Sequence, residues 1–298
     1  MPGPLSPLGE RMRIRATVAA VTGALALSAL VVPAAQAGTP GDADPQVPSA
    51  AERFGVSGSK TAFSTAAAQA APVVSKVTIN SGKAVAVGTT YAKTFTVSVT
   101  ASHAAGIEDA FVVLWHGTNI DTDIDGALVP NEDAATCTAA SATTSTCKLT
   151  ITAEPGTDLY KNALAGTWHV STGVLARDAS VYWNDYHTTH KVQRYSKLTV
   201  NASPEPVLKG RTITVTGKLT RANWETFQYA GYTNQYVKLQ YRKAGSTTYT
   251  TLKTIKSDST GYLKTTTTAS ADGYYRYSFA GTTTTPAVNA TADYVDVQ

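Results

Sequence analysis

The sequence predicts an all-β protein of two β-sandwich domains behind an export signal and a flexible leader. Three observations predict it. Apolar residues recur with period two from residue 72 to the C-terminus. Turn residues cut these runs into two sets of about seven strands each. No helical periodicity of useful length interrupts them after residue 72.

The first 37 residues read as a signal peptide. Arg11, Arg13 and Arg15 precede an Ala-rich apolar run from Ala16 to Val32, and Ala35-Gln36-Ala37 offers a small-residue cleavage site. Either Met1 or Met12 is the start, because the basic and apolar regions largely follow Met12. The arginines are not a twin pair, so the general secretion route is expected. No Cys follows the apolar run, and no second stretch is long enough to span a bilayer. A secreted chain, free or held at the cell wall without a covalent anchor, is expected. Residues 38–71 are rich in Gly, Pro, Ala and Ser. They bury too little apolar surface to offset chain entropy and read as a disordered leader.

The first sandwich is placed at 72–196. Phe95, Val97 and Val99 alternate with threonines and a serine, and Trp168, Val170, Thr172, Val174 and Ala176 share one face. Ala110–His116 is apolar at nearly every position and reads as an interior strand. Cys137 and Cys147 are the two cysteines of the chain. An even count in an exported protein reads as one disulfide. The second sandwich is placed at 197–298. Ile213, Val215, Gly217 and Leu219 share a face, as do Val237, Leu239 and Tyr241, and then Tyr275, Tyr277 and Phe279. Asp258-Ser-Thr-Gly261 is a turn between Thr-rich strands. A set of seven short strands in about 100 residues is the pattern of an immunoglobulin-like sandwich.

Charge is modest but uneven. The chain has 25 basic and 21 acidic residues, and the mature chain from Gly38 has 22 and 20. Residues 38–196 carry net −4 and residues 197–298 net +6. Nucleic acid is a poor partner for an exported chain at this charge. The basic half suits an anionic wall polymer or is simply a lysine-decorated, solvated sheet.

The sharpest motif is Asp121-Thr-Asp-Ile-Asp-Gly-Ala-Leu-Val-Pro-Asn-Glu132, which fits D-x-D-x-D-G-x5-E. Ca2+ takes six to eight oxygens. Asp121, Asp123, Asp125 and Glu132 would supply carboxylates and Ala127 its carbonyl. The flanks are not helical, and Pro130 sits where an exiting helix would begin, so this is no EF-hand by fold. Two readings stand: a β-framed calcium loop, and an acidic surface turn. A second feature is the segment Arg221–Tyr236, with Trp224, Phe227, Tyr229, Tyr232 and Tyr236. Aromatic faces beside polar amides suit sugar rings or a protein contact, or they close one end of a sandwich or form the interface between the domains. Tyr182-Trp183-Asn-Asp-Tyr186 is a smaller cluster of the same kind. His187 and His190 lie an odd offset apart, on opposite faces of a strand, which disfavours a metal pair.

Catalytic signatures are missing from the sequence. There is no G-x-S-x-G elbow and no Gly-rich phosphate loop. Glu225 beside Trp224, and Asp185 beside Asn184, have no evident second carboxylate, which glycoside hydrolysis requires. The chain is therefore read as a non-enzyme.

Gly210-Arg-Thr-Ile-Thr-Val-Thr-Gly-Lys-Leu, Val237-Lys-Leu-Gln-Tyr-Arg, Asp258-Ser-Thr-Gly-Tyr-Leu and Gly273-Tyr-Tyr-Arg-Tyr-Ser-Phe-Ala-Gly resemble the bacterial Ig-like modules of exported actinobacterial proteins. That resemblance covers 197–298. Ala135–Cys147, with Ala165-Gly-Thr-Trp-His-Val and Ala176-Arg-Asp, is similar to an exported actinobacterial family without assigned function. Both imply sandwiches, and neither brings catalytic residues. The expected function is non-catalytic binding or structure outside the cell. Its partner is a wall polymer, a polysaccharide or another extracellular protein. A calcium-dependent module comes second, and an atypical carbohydrate-active enzyme third.

Overall fold

The structure is a computed structural model that describes residues 47–55 and 70–298. The export signal, and leader residues 38–46 and 56–69, lie outside the described residues.

The first sandwich comprises β1 (Val73–Ile79), β2 (Val85–Val87), β3 (Lys93–Ser102), β4 (Ile107–Asn119), β5 (Asp123–Leu128), β6 (Thr136–Ala139), β7 (Thr144–Ala153), β8 (Gly166–Ala176) and β9 (Val181–Arg194). One sheet runs β1-β3-β7-β6 and the other β2-β9-β8-β4-β5. All pairings are antiparallel except β2 with β9. The alternation in β3 turns Phe95, Val97, Val99 and Ala101 inward onto Ile151 of β7 and onto Val112, Leu114, Trp168 and Val170 of the opposing sheet. Its outward threonines pair across strands, as in Thr94 Oγ1 to Thr152 Oγ1 at 2.8 Å. Cys137 and Cys147 lie directly opposite each other in the β6–β7 pair and are disulfide-bonded.

Strand β4 is apolar on both faces because both are covered. Ala110, Val112 and Leu114 enter the core. Phe111, Val113 and Trp115 point outward and are buried under Val47, Phe54, Ile120, Ile124 and Trp183. Residues 47–55 thus differ from the expected flexible leader. Ala50–Phe54 forms a helical turn (α1) with a Ser49–Glu52 capping box, and Gly55 ends it at φ 64°. Arg53 pairs with the buried Asp109 at 2.8 Å and lies 5.0 Å from the centroid of the Phe111 ring. Gly173 of β8 makes room for the seat, since a Cβ there would meet Trp183 at 2.5 Å and Phe54 at 2.9 Å. The composition of the leader averages this one docking sequence into its polar surroundings.

The second sandwich comprises β10 (Ser196–Leu198), β11 (Asn201–Ser203), β12 (Thr212–Asn223), β13 (Gln228–Gly231), β14 (Tyr236–Lys243), β15 (Thr250–Lys256), β16 (Tyr262–Thr268), β17 (Gly273–Phe279), β18 (Val288–Asn289) and β19 (Asp293–Val295). Strand β12 is the hub of one sheet and pairs with β10, β11, β13 and β16. The other sheet runs β15-β14-β17, with β18 and β19 both on β17. Ile213, Val215, Leu219, Val237, Leu239, Tyr275, Tyr277 and Phe279 fill a separate core. The Tyr277 hydroxyl donates to the Val215 carbonyl at 2.9 Å, so the phenol is buried with its polar tip satisfied. Asp258 Oδ1 caps the 258–261 turn by accepting from the N–H groups of Thr260 and Tyr262.

More strands form than the sequence count of about seven per set. The extra ones (β2, β10, β11, β18 and β19) are two or three residues long. That is too short for alternation to register. Three sheet margins carry irregularities, among them β5, whose pairing with β4 shifts register between His116 and Gly117 and between Gly117 and Asn119. Strand β1 has a bulge between Val74 and Lys76, and β15 pairs with β14 across one between Leu239 and Gln240.

Candidate binding site at the sandwich junction

The acidic motif does not fold into a wrapped loop. Residues 123–128 are β5, an extended strand hydrogen-bonded to β4, and cannot curl around an ion. Its carboxylates are taken by other partners. Asp125 accepts from His116 Nδ1 and pairs with Lys161 Nζ at 2.9 Å. Burial pushes the Asp125 carboxyl up, but the bonds and charges of His116 and Lys161 outweigh it and leave the carboxyl below its usual range. Asp123 accepts from the Thr118 hydroxyl. Glu132 Oε2 and Oε1 accept from the Thr150 N–H at 2.7 Å and its hydroxyl at 2.6 Å. Those bonds hold Glu132 low against a desolvation that raises it. Asp121 is exposed, and Ala127 lies opposite Trp115 within the β4–β5 ladder. Gly126 serves packing, because a Cβ there would stand 2.9 Å from the Trp168 ring. Among the described residues, no group of three or more His, Cys, Asp or Glu is placed to hold a metal ion. The motif has the residue types of a calcium loop, and strand pairing keeps them apart.

The aromatic segment also disperses. Trp224 is fully buried in the core of the first sandwich, together with Ala222. Tyr232 is buried in the second core. Phe227 is half exposed and packs on Gly156, where a Cβ would meet its ring at 2.4 Å. Tyr236 is exposed on the outer face of β14 beside Lys256. Tyr229 turns into the junction. The five rings do not form one binding face. The smaller cluster is structural too. Trp183 stacks on Phe111, and its indole N–H donates to Asp185. Asp185 also accepts from Ser171, and Glu225 accepts from the Asn162 N–H. Both carboxylates are thus acceptors for neighbouring groups. His187 bonds to the Tyr182 hydroxyl and His190 to the Lys83 carbonyl, on separate partners.

Trp224 shows how the two sandwiches are joined. The end of β12 carries it across into the first core, where its backbone N–H donates to Asn162 Oδ1 at 3.0 Å. Arg194, at the end of β9, donates from Nε to the Ala222 carbonyl at 2.5 Å. Gln193 donates to the carbonyls of Thr282 and Thr283 at 2.9 and 3.0 Å. The Ser196 hydroxyl donates to the Pro286 carbonyl at 3.0 Å. Burial, and then the charge of Arg221, pull the Arg194 guanidinium down to about 10. All of these bonds involve the backbone, and the one from Arg194 is buried, so they fix the chain entering the second sandwich. Both sandwiches fall within a single unit.

Beside this lock lies a cleft of about 390 Å³. One wall is the turn from Gly88 to Lys93 between β2 and β3. The other is Tyr195, Lys197 and Tyr229. Tyr91 is 85% exposed and Tyr195 46% exposed, although both line a concavity. The Lys197 ammonium sits 3.7 Å from the centroid of the Tyr229 ring. Lys93 adds a second cation, and among the described residues no carboxylate lines the cleft. Tyr91, Lys93, Tyr195 and Lys197 escaped the sequence reading. Tyr91 lies in a turn, and Tyr195 stands at the expected domain boundary. That boundary was itself a signal, because clefts collect where domains meet.

The fold defines an all-β protein of two joined sandwiches. Residues 77–176, in the first of them, match the model of DUF5707, a family of unknown function. No curated protein matches the chain. Similar solved structures include the D0-D1 domain of intimin, at 18% identity with a TM-score of 0.24, covering 74% of this chain and 98% of that one. The Yersinia pseudotuberculosis adhesin InvE matches at 15% identity and TM-score 0.25, over 75% of this chain and 58% of that one. A marsupial T cell receptor matches at 12% and 0.28, over 75% and 73%. The fold class rests on the sheets and cores described above, not on these likenesses.

Proposed function

We propose that this chain is an exported, non-catalytic binding module whose two sandwiches present one fixed surface to an extracellular polymer. The observation that carries the reading is the lock at the junction. A buried Trp and backbone-directed bonds hold the two sandwiches together, and an aromatic, cationic cleft opens beside them. A preorganised concavity loses little conformational entropy on binding. The signal sequence and the disulfide both agree with an oxidising compartment outside the cytoplasm. Among the described residues, no helix is long and apolar enough to cross a membrane. The calcium reading draws no support from the placement of its carboxylates.

The test is co-sedimentation of residues 38–298 with purified cell-wall sacculi. The expected result is saturable recovery in the pellet. A chain that stays in the supernatant at every sacculus concentration would remove wall-polymer binding from the reading.

A further inference from the structure

We infer that the cleft between Tyr91 and Tyr195 is a binding site for an anionic saccharide; the inference rests on the polymer-binding reading and names the site and the chemistry. Three observations converge on it.

Tyr91 and Tyr195 are both exposed and line one concavity. A large aromatic side chain left in water gains nothing for the fold, and neither ring belongs to a core. Flat rings with a polar tip suit the apolar face of a pyranose, with the hydroxyl free to meet its oxygens. Hydroxyl partners stand beside them in Thr89 and Thr90, whose Oγ1 atoms are 3.2 Å apart.

The charge of the lining is of one sign. Lys93 and Lys197 are exposed and line the cleft, and no Asp or Glu among the described residues does. The Tyr229 ring holds the Lys197 ammonium in place. Two cations without a counter-charge on the walls favour a ligand that carries negative charge along its length. The cleft is open rather than closed, which admits a section of a chain.

The walls come from different sandwiches. Gly88–Lys93 belongs to the first, and Lys197 and Tyr229 to the second. Their spacing is fixed by Tyr195, whose N–H donates to the Val87 carbonyl at 2.8 Å while its carbonyl accepts from the Ala222 N–H at 2.8 Å. The same residue that exposes its ring is pinned by its backbone to both sides. The site therefore exists only when the two sandwiches are joined.

The experiment uses residues 38–298 and measures affinity by calorimetry for polygalacturonate. Its fully methyl-esterified form serves as control, with the same sugar ring and no charge. Wild type is expected to bind the acid polymer and to bind the ester at least about tenfold more weakly. Tyr91→Ala and Tyr195→Ala are each expected to lose about tenfold or more with unchanged melting temperature, as central aromatic contacts do. Lys93→Ala should flatten the salt dependence. Equal binding of acid and ester overturns the anionic part of the inference. Undiminished binding in the Tyr91→Ala, Tyr195→Ala double variant overturns the site. If the wild type sediments with sacculi yet ignores polygalacturonate, the inference fails and the polymer-binding reading stands. Tighter binding to poly(dT), lost in the same variants, would assign the cleft to single-stranded nucleic acid instead.

Discussion

Replacing Trp224 by Ala removes the residue that stitches the second sandwich into the first. The side chain is fully buried among residues of the first core. A Trp buries roughly 150–250 Å², and at about 25 cal/mol per Å² the transfer loss alone is about 4–6 kcal/mol. The extended-chain reference makes that an upper bound. Buried Trp-to-Ala changes cost about 3–5 kcal/mol, and about 4 is taken here. The indole bond to the Val87 carbonyl is long, at 3.4 Å, and adds little. For a chain of this size, 1 kcal/mol is about 2–4 °C, so the melt should fall by about 8–16 °C. Differential scanning calorimetry of residues 38–298 reads this directly. Wild type should melt in one cooperative transition and the variant in two, because the second sandwich loses its anchor while keeping its own core. Tyr236→Ala is the control, since that ring is 65% exposed and should cost under about 1 kcal/mol. A Trp224→Ala melt within about 2 °C of wild type would refute the reasoning.

Three further outcomes follow from the geometry. Removing the Cys137–Cys147 bond by double Ala substitution should cost about 2.7 kcal/mol by loop-closure entropy for a separation of 10, read as the drop in denaturant midpoint; an unchanged midpoint would show that the β6–β7 pairing already closes the loop unaided. Asp125→Asn should lower the melting temperature at neutral pH. The Asp125 carboxyl is depressed below 3.8 when folded, so its contribution is present above that value and lost as the pH falls through the lower, folded one. The gap between wild type and variant should therefore narrow as the pH falls below that value, and a gap that stays constant or widens in acid would contradict the assignment. Excess calcium should leave the melt of wild type and of Asp123→Ala alike within about 1 °C of the chelated chain. A saturated site would add about 2.7 kcal/mol, and a shift of several degrees in wild type alone would return the acidic motif to calcium.

The sandwich cores were legible because burial on one face writes itself as alternation. Phe95, Val97 and Val99 can be read directly, as can Tyr275, Tyr277 and Phe279. The density of Ala110–His116 also announced burial on both faces, but not what covers the second one. That depends on Phe54 finding a seat beside Gly173, a tertiary match with no local pattern. Trp224 has the same neighbours in sequence whether it points at solvent or into a distant core, so the sequence left a contact surface and a structural ring side by side, and the first core takes it as the latter. The acidic motif illustrates the converse. Its residue spacing is right for an ion, and the ladder between β4 and β5 decides the backbone shape. Tyr91 and Tyr195 are more than a hundred residues apart, and only packing puts them across one cleft.

Two of the irregular margins, β1 and β15, bear on how the molecule behaves in company. A regular, unpaired strand is a template on which a neighbour's strand can crystallise, and crowded protein would then grow into fibres. The slip between Val74 and Lys76 breaks the regular ladder of donors and acceptors on one side. The slip on β15, with Lys253 and Lys256 along the same strand, does so on the other, with charge added. Binding to a polymer, as proposed, would gather many copies on one surface. Margins that refuse to zip allow that gathering without aggregation.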